Sequence, residues 1–147
     1  MMASDSQITC LVTGAAGFVG SNLTRRLIMS GYKVIALDNL FSGKLDNLVD
    51  IFEHTDFYFI NVDFREENCL KKLVQDYPNI SIVFHLAAIV SVPYSMEYPE
   101  ETEAVNYHAA MQLYNDARHF GVRKFIYAGS AAEYGDLETV HINEDAI

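Results

Sequence analysis

Cysteine is nearly absent from the 147 residues, cationic side chains are scarce, and no apolar stretch is long. The two cysteines, Cys10 and Cys69, sit in apolar or helical contexts with no Cys-x-x-Cys and no neighbouring pair of histidines. A disulfide framework and a zinc site are therefore not expected, and the chain is read as binding no metal. Ten Lys and Arg stand against twenty Asp and Glu, a formal net charge of -10. That balance repels nucleic acid and anionic membrane as diffuse partners, so any bound anion must meet a local site. No run approaches the roughly 20 apolar residues of a spanning helix. Residues 1–7 carry no basic segment followed by an apolar one, so no signal peptide is expected. These absences predict a soluble, cytoplasmic protein with no nucleic-acid and no membrane partner. Internal repeats, low-complexity tracts and linkers are missing too, while half of the residues are apolar, enough for one packed domain.

What is present is an alternation of short β-branched runs with longer stretches of helical period, the pattern of βαβ units. Residues 8–13 predict a first strand. After a glycine-rich turn, Val19, Leu23 and Leu27 recur every four residues as the buried stripe of a helix, with Gly31 at its cap. Residues 33–38 and 57–62 predict the second and third strands, separated by a polar turn at Ser42 and Gly43 and a helical segment over 45–52. Leu70, Leu73, Val74 and Tyr77 mark a helix ended by Pro78, and residues 80–86 a strand buried on both faces. The clearest helix covers 99–120, with Val105, Ala109, Leu113, Ala117 and Phe120 on one face and Gly121 at its cap. Residues 124–128 predict a fifth strand, and 129–147 complete no further element. Near-obligatory right-handed crossovers make these strands a doubly wound parallel α/β sheet ordered 3-2-1-4-5. Ligands then lie beyond the strands' carboxyl ends, between the first and fourth strands.

Thr13-Gly14-Ala15-Ala16-Gly17-Phe18-Val19-Gly20 stands between the first strand and the first helix. A glycine-rich turn there lets backbone amides and a helix N-terminus approach a pyrophosphate, which makes Gly14, Ala16, Gly17, Phe18, Val19 and Gly20 candidate dinucleotide contacts. Asp38 ends the second strand about 20 residues further on, where a carboxylate accepts hydrogen bonds from the adenosine ribose diol and repels a 2'-phosphate. NAD is therefore favoured over NADP. An ordinary turn made by Asp38 and Asn39 is the competing reading.

The glycine spacing departs from Gly-x-Gly-x-x-Gly and resembles the Thr-Gly-x-x-Gly-x-x-Gly of the extended short-chain dehydrogenase/reductases, a resemblance that runs over residues 8–145. It implies a Rossmann fold, with residues 1–147 as the NAD-binding domain. Leu37-Asp38-Asn39-Leu40-Phe41-Ser42-Gly43-Lys44, followed by Asn47-Leu48, is similar to the second-strand signature of UDP-sugar epimerases and decarboxylases, which implies Asn39, Ser42 and Gly43 beside the cofactor. Val62-Asp63-Phe64-Arg65 resembles the segment that sets an Asp on the adenine amino group, implying Asp63 and Phe64 there. His85-Leu86-Ala87-Ala88 resembles the family's His-x-Ala-Ala, in which small residues admit the nicotinamide half; Leu86, Ala87 and Ala88 follow as contacts, while His85 is read as a core residue.

Ser91-Val92-Pro93-Tyr94-Ser95 resembles the loop beside cofactor and sugar, making Ser91 a candidate substrate contact, and Asn106 matches a helix asparagine of architectural role. The stretch from Tyr127 to Asp136 resembles Ser-Ser-x-x-Val-Tyr-Gly-Asp, which puts Ser130 on the catalytic Ser/Thr position, with Ala131 also in the substrate site. Sugar 4,6-dehydratases carry Asp-Glu after that Ser/Thr. Here Ala131 and Ala132 follow, and Glu133 is one place late on a segment whose neighbours point to opposite sides, so dehydration is disfavoured.

The family's base is a tyrosine in Tyr-x-x-x-Lys, and none of the nine tyrosines has lysine four residues later. Glu144-Asp145-Ala146-Ile147 resembles the acidic turn that precedes that motif. The sequence is thus expected to stop before the last strands and the C-terminal substrate domain, and the 147 residues alone to be inactive. For the intact enzyme the resemblance implies a homodimer acting on a UDP-sugar as an NAD-dependent 4-epimerase of the UDP-glucose/UDP-galactose type, through a 4-keto sugar. A sugar-acid decarboxylase, a reductase or dehydrogenase of the same family, and an inactive dinucleotide-binding module remain open alternatives.

Overall fold

The computed structural model describes residues 7–135 and 142–143. Asp136 and residues 144–147, which entered the sequence reading, lie outside these, as do residues 1–6. Five parallel strands form one sheet: β1 (Thr9–Thr13), β2 (Lys33–Asp38), β3 (Phe57–Asn61), β4 (Ile80–His85) and β5 (Lys124–Tyr127). Their order is β3-β2-β1-β4-β5, the expected arrangement. The connections carry helix α1 (Phe18–Met29), a 3-10 turn (Leu45–Ile51), α2 (Cys69–Asp76), α3 (Val92–Glu97), and a long helix made of α4 (Pro99–Glu103), a π-helical segment (Ala104–Ala109) and α5 (Ala110–His119). A second 3-10 turn spans Ala131–Tyr134.

Alternation along the central strands builds two cores, because successive side chains leave opposite faces of a sheet. Cys10, Val12, Val34 and Ala36 pack with Leu27, Ile28 and Leu48 under α1 and the first 3-10 turn. Leu11, Ile35, Leu37 and Val83 pack with Leu70, Leu73, Leu113 and Ala117 under α2 and α5. Both cysteines are buried free thiols, each pushed up to about 11 by burial. Among the described residues no helix is long and apolar enough to cross a membrane.

Three expectations change in register. The buried side of α1 is Gly20, Ser21, Thr24, Leu27 and Ile28 rather than a Val19-Leu23-Leu27 stripe, and Val19 is exposed. The reason is close approach: a Cβ on Gly20 would lie 2.1 Å from the Gly14 carbonyl oxygen, so the helix start turns its small residues toward the strand and leaves Val19 outward. Strand β4 is covered fully at Ile80, Val83 and His85 but only partly at Ile82 and Phe84, which pack at the margin of the core that holds Leu27 and Ile28. In the long helix Ala110, not Ala109, is buried after Val105. The π-helical turn adds one residue to the repeat, so the apolar stripe steps five places from Val105 to Ala110 before resuming at Leu113 and Ala117.

Asn106 sits in that widened turn and grips the chain after β4 with both ends of its amide. The Ile89 N–H donates to Asn106 Oδ1, and Asn106 Nδ2 donates to the Ile89 carbonyl, each at 2.8 Å. Asn106→Ala strands two half-buried backbone groups at once and is expected to cost about 2 kcal/mol. Asn106→Asp, which keeps the acceptor and loses the donor, should be worse than neutral but milder at low pH, where a protonated carboxyl can donate again. Urea unfolding of both variants at neutral and acid pH checks this.

Candidate functional site

Strand order reverses direction at β1, whose neighbours β2 and β4 send their following loops to opposite sides. A cleft therefore opens beyond the carboxyl ends of these strands. One cavity fills it, and it is lined by Gly14, Gly17, Phe18, Val19, Gly20, Asp38, Asn39, Ser42, Gly43, Asp63, Phe64, Leu86, Ala87 and Ala88. Every residue expected at the cofactor except Ala16 is thus brought to one surface. Ala16 is completely buried, and it works behind the wall. The expected substrate contacts Ser91, Ser130 and Ala131 are not among the lining residues.

The glycine turn is shaped by contact rather than by flexibility. Gly14 has φ +68°, and a Cβ there would come within 2.7 Å of the Ala87 nitrogen, so the turn after β1 and the segment after β4 touch through bare backbone. The first bond of α1 runs from the Ser21 N–H to the Gly17 carbonyl at 3.0 Å. The amides of Phe18, Val19 and Gly20 accordingly have no acceptor within the helix. Gly17 contributes no side-chain cap, and no acidic residue stands in the first turn. Three uncapped amides at the positive end of a 12-residue helix face the cavity, an arrangement suited to a phosphate.

Asp38 is 7% exposed and already bonded: Ala16 N–H donates to Oδ2 at 2.9 Å and Leu40 N–H to Oδ1 at 2.8 Å. Each oxygen keeps a lone pair for a further donor. The turn role considered for this residue is therefore real, and it leaves room for a ribose hydroxyl. Ala16 also accepts through its carbonyl from Lys44 N–H (3.1 Å) and from Asn47 Nδ2 (2.8 Å). Gly43 is pressed so close that a Cβ would lie 2.9 Å from Ala16 Cβ and 3.0 Å from Asp38 Oδ1.

Asp63 is more fully committed than expected. Oδ1 accepts from the Arg65 backbone N–H (2.9 Å) and Nε (3.0 Å), and Oδ2 accepts from Arg65 Nη2 (2.8 Å) and Asn39 Nδ2 (2.9 Å). Hydrogen bonding from Arg65 holds this carboxyl below the usual carboxylate range. Four donors fill its ordinary acceptor capacity, so any further donor must take the place of one of them.

His85 belongs to the framework. It is 2% exposed and packed against the rings of Phe64, Phe125 and Tyr127. Thr13 Oγ1 lies 3.2 Å from the amide nitrogens of both Leu86 and Ala87, which donate to it, and 2.7 Å from His85 Nδ1. With its lone pairs taken, the hydroxyl proton goes to Nδ1, so the neutral imidazole carries its own proton on Nε2. Burial pushes the imidazole down to about 4. Sequence reasoning saw Thr13 only as the first letter of a glycine motif. It also missed the bond of Asn47 to Ala16 and the pairing of Arg65 with Glu101, whose partners lie far along the chain, and the bond between Tyr94 and Glu101.

Ser91 Oγ caps α3 by accepting from Tyr94 N–H at 3.3 Å. Ser130 begins the last 3-10 turn: its Oγ accepts from Ala132 N–H at 3.1 Å, and its own N–H donates to Glu133 Oε1 at 3.1 Å. Glu133, out of register for acid catalysis, is thus folded back as a cap.

The model of the NAD dependent epimerase/dehydratase family matches residues 10–147. UDP-glucose 4-epimerase of Mycolicibacterium smegmatis is 37% identical over 136 residues, covering 92% of this chain and 43% of that protein. UDP-glucuronic acid decarboxylase 1 of Danio rerio is 35% identical over 135 residues, 92% of this chain and 30% of the relative. Among solved structures, the NAD complex of UDP-glucose 4-epimerase from Thermus thermophilus superposes with a TM-score of 0.81 at 32% identity, over 94% of this chain and 43% of that one. The chain therefore spans less than half the length of these relatives. With its sheet order, glycine turn and strand-end residues matched along nearly the whole sequence, the chain belongs to the NAD dependent epimerase/dehydratase family.

Proposed function

We propose that this chain is the NAD-binding part of a nucleotide-sugar 4-epimerase of the UDP-glucose/UDP-galactose type. The observation that carries the cofactor assignment is the pairing of three uncapped amides at the start of α1 with the buried carboxylate of Asp38 in one cavity. The amides of Phe18, Val19 and Gly20 receive the diphosphate, Asp38 accepts from the ribose diol on its remaining lone pairs, and Asp63 takes the adenine amino group in exchange for Asn39. Gly14, Leu86, Ala87 and Ala88 give the nicotinamide half a wall of backbone and small side chains, which excludes water from one face of the ring. Bound there, NAD would supply a reversible hydride acceptor for oxidation of the sugar hydroxyl to a 4-keto group and its reduction with inversion.

Ser130 is the residue proposed to hydrogen-bond the reacting sugar hydroxyl, with Ser91 and Ala131 along the sugar. Its hydroxyl is free to leave the Ala132 amide because that contact is exposed. The 4-epimerase reading is supported by the string from Leu37 to Leu48 and by Ala131 and Ala132 standing where dehydratases carry Asp-Glu. A UDP-sugar decarboxylase is the second reading, favoured by the similarity to UDP-glucuronic acid decarboxylase. The tyrosine base is not in the 147 residues, so these alone should bind NAD and turn over no sugar. A homodimer and a cytoplasmic location complete the proposal.

Two measurements test it. Asp38→Ala should weaken NAD at least about tenfold, the loss of one charge-assisted hydrogen-bonding site; unchanged affinity removes the ribose assignment. The protein supplied with the remainder of the enzyme should interconvert UDP-glucose and UDP-galactose without added NADH, and release of CO2 from a UDP-sugar acid instead would replace the first reading with the second.

A further inference from the structure

A closed circuit of side chains rims the cavity. Asn39 Nδ2 donates to Asp63 Oδ2 at 2.9 Å, and Arg65 Nη2 to the same oxygen at 2.8 Å. Arg65 Nη1 meets Glu101 Oε1 at 3.5 Å, and Glu101 Oε2 accepts from the Tyr94 hydroxyl at 2.6 Å. The Tyr94 ring meets Phe41 edge to face at 5.4 Å, and the Phe41 N–H returns to Asn39 Oδ1 at 3.0 Å. Asn39, Phe41, Asp63 and Arg65 follow β2 and β3, whereas Tyr94 and Glu101 lie on α3 and α4, beyond β4. The circuit therefore joins the two halves of the sheet across the cleft, and all its members except Tyr94 line the cavity.

We infer that Glu101 and Tyr94 are positioning residues that hold Arg65 as a clasp across the adenosine end of the cleft, a clasp that opens to admit the dinucleotide and recloses over it. This rests on the dinucleotide reading given above. The opening point is the Arg65–Glu101 contact, because it is the longest polar link in the circuit and its two side chains are each 38% exposed. Every other polar link is 3.0 Å or shorter. Glu101 is tied on its second oxygen to Tyr94, whose hydroxyl that bond pushes up to about 12 and so keeps protonated as a donor.

A clasp leaves a kinetic signature that a simple contact does not. In stopped-flow binding of NADH, read by the fluorescence of the dihydronicotinamide, Glu101→Gln should raise the association and dissociation rates together, each by about fivefold, as expected for loss of one exposed ion pair. The dissociation constant should then move by less than about twofold. Tyr94→Phe keeps the Phe41 contact and removes only the bond that orients Glu101, so both rates should rise by a smaller factor. It also decides the matter if Glu101→Gln fails to fold. Dissociation that speeds up with association unchanged makes the circuit a mere contact, and faster association with slower dissociation makes Glu101 a mere repulsive charge; either overturns the clasp, as do unchanged rates. Wild-type protein that takes up no NADH overturns the dinucleotide reading itself.

Discussion

Gly20→Ala is expected to abolish NAD binding and to lower the thermal midpoint by roughly 10 °C. The added Cβ would sit 2.1 Å from the Gly14 carbonyl oxygen and 2.8 Å from Ala15 Cα, backbone atoms that no rotamer change can move aside. Relief requires α1 to back away from β1, at the upper end of overpacking costs, about 3 kcal/mol. The same retreat carries the uncapped amides of Phe18 and Val19 out of position for a diphosphate, so affinity should fall by more than about a hundredfold. Gly31→Ala is the natural comparison. Gly31 has φ +82° with nothing near the added carbon, so only backbone strain of about 1 kcal/mol is at stake and NAD should bind as before. Differential scanning calorimetry and NAD titration of the pair give the answer. Equal losses in both variants would mean that the contact at Gly20 relaxes freely and does not fix the turn.

A loss of stability between pH 6.5 and pH 4, approaching about 3 kcal/mol, is the second large effect, and His85 is its source. The imidazole is pushed down to about 4 in the folded protein, chiefly by burial. In the unfolded chain it takes up its proton near 6.5, so over that interval the unfolded state binds a proton that the folded state refuses, and stability declines as pH falls. Below about 4 both states are protonated and this contribution levels off. Burial is the cause, and the hydrogen-bond pattern acts in the same direction: Thr13 Oγ1 already receives two amides, so a proton on Nδ1 would face a donor rather than an acceptor. Asp50 and Asp63 are held low by Arg25 and Arg65 respectively. Their stabilisation is present above the usual Asp range and is lost as pH falls through their lowered values, a later window than that of His85. Urea unfolding of wild type and His85→Gln between pH 7 and pH 4 separates the two sources. An equally steep decline in the variant would assign the effect elsewhere.

What the sequence made legible follows from how local each signal is. Strand β2 is matched residue for residue, since Val34 to Leu37 is an uninterrupted apolar run with Lys33 and Asp38 as polar stops. The sheet order followed from alternation and crossover handedness, which need no knowledge of side-chain contacts. Two stripes slipped because neither obeys simple periodicity. Val19 has the right spacing for burial but faces the cleft, where Gly20 instead meets the turn after β1, and Ala109 lost its place to Ala110 through a π-turn from which Asn106 grips Ile89. In the site, the glycines, Asp38 and the small residues after β4 converge on one cavity because each is anchored to a strand end. Ser91 and Ser130 lie on turns after the strands and spend their hydroxyls on local caps. The pairing of Arg65 with Glu101 was not legible at all. It joins segments 36 residues apart, and nothing in either neighbourhood announces the other.

Ala16 never meets the cavity, yet it ties the glycine turn to the end of β2 and the connection after it: its amide reaches Asp38, and its carbonyl receives both Lys44 and Asn47. On the proposed assignment, the amides that would receive a diphosphate and the carboxylate that would receive a ribose are therefore two faces of a single block rather than separable modules. A ligand fragment carrying only one of those groups still encounters the geometry set for both, so the free energies of the fragments should not sum to that of the whole nucleotide. A thermodynamic cycle over Asp38 and Asn47 substitutions, read with AMP, ADP and NAD, would express that non-additivity as a number.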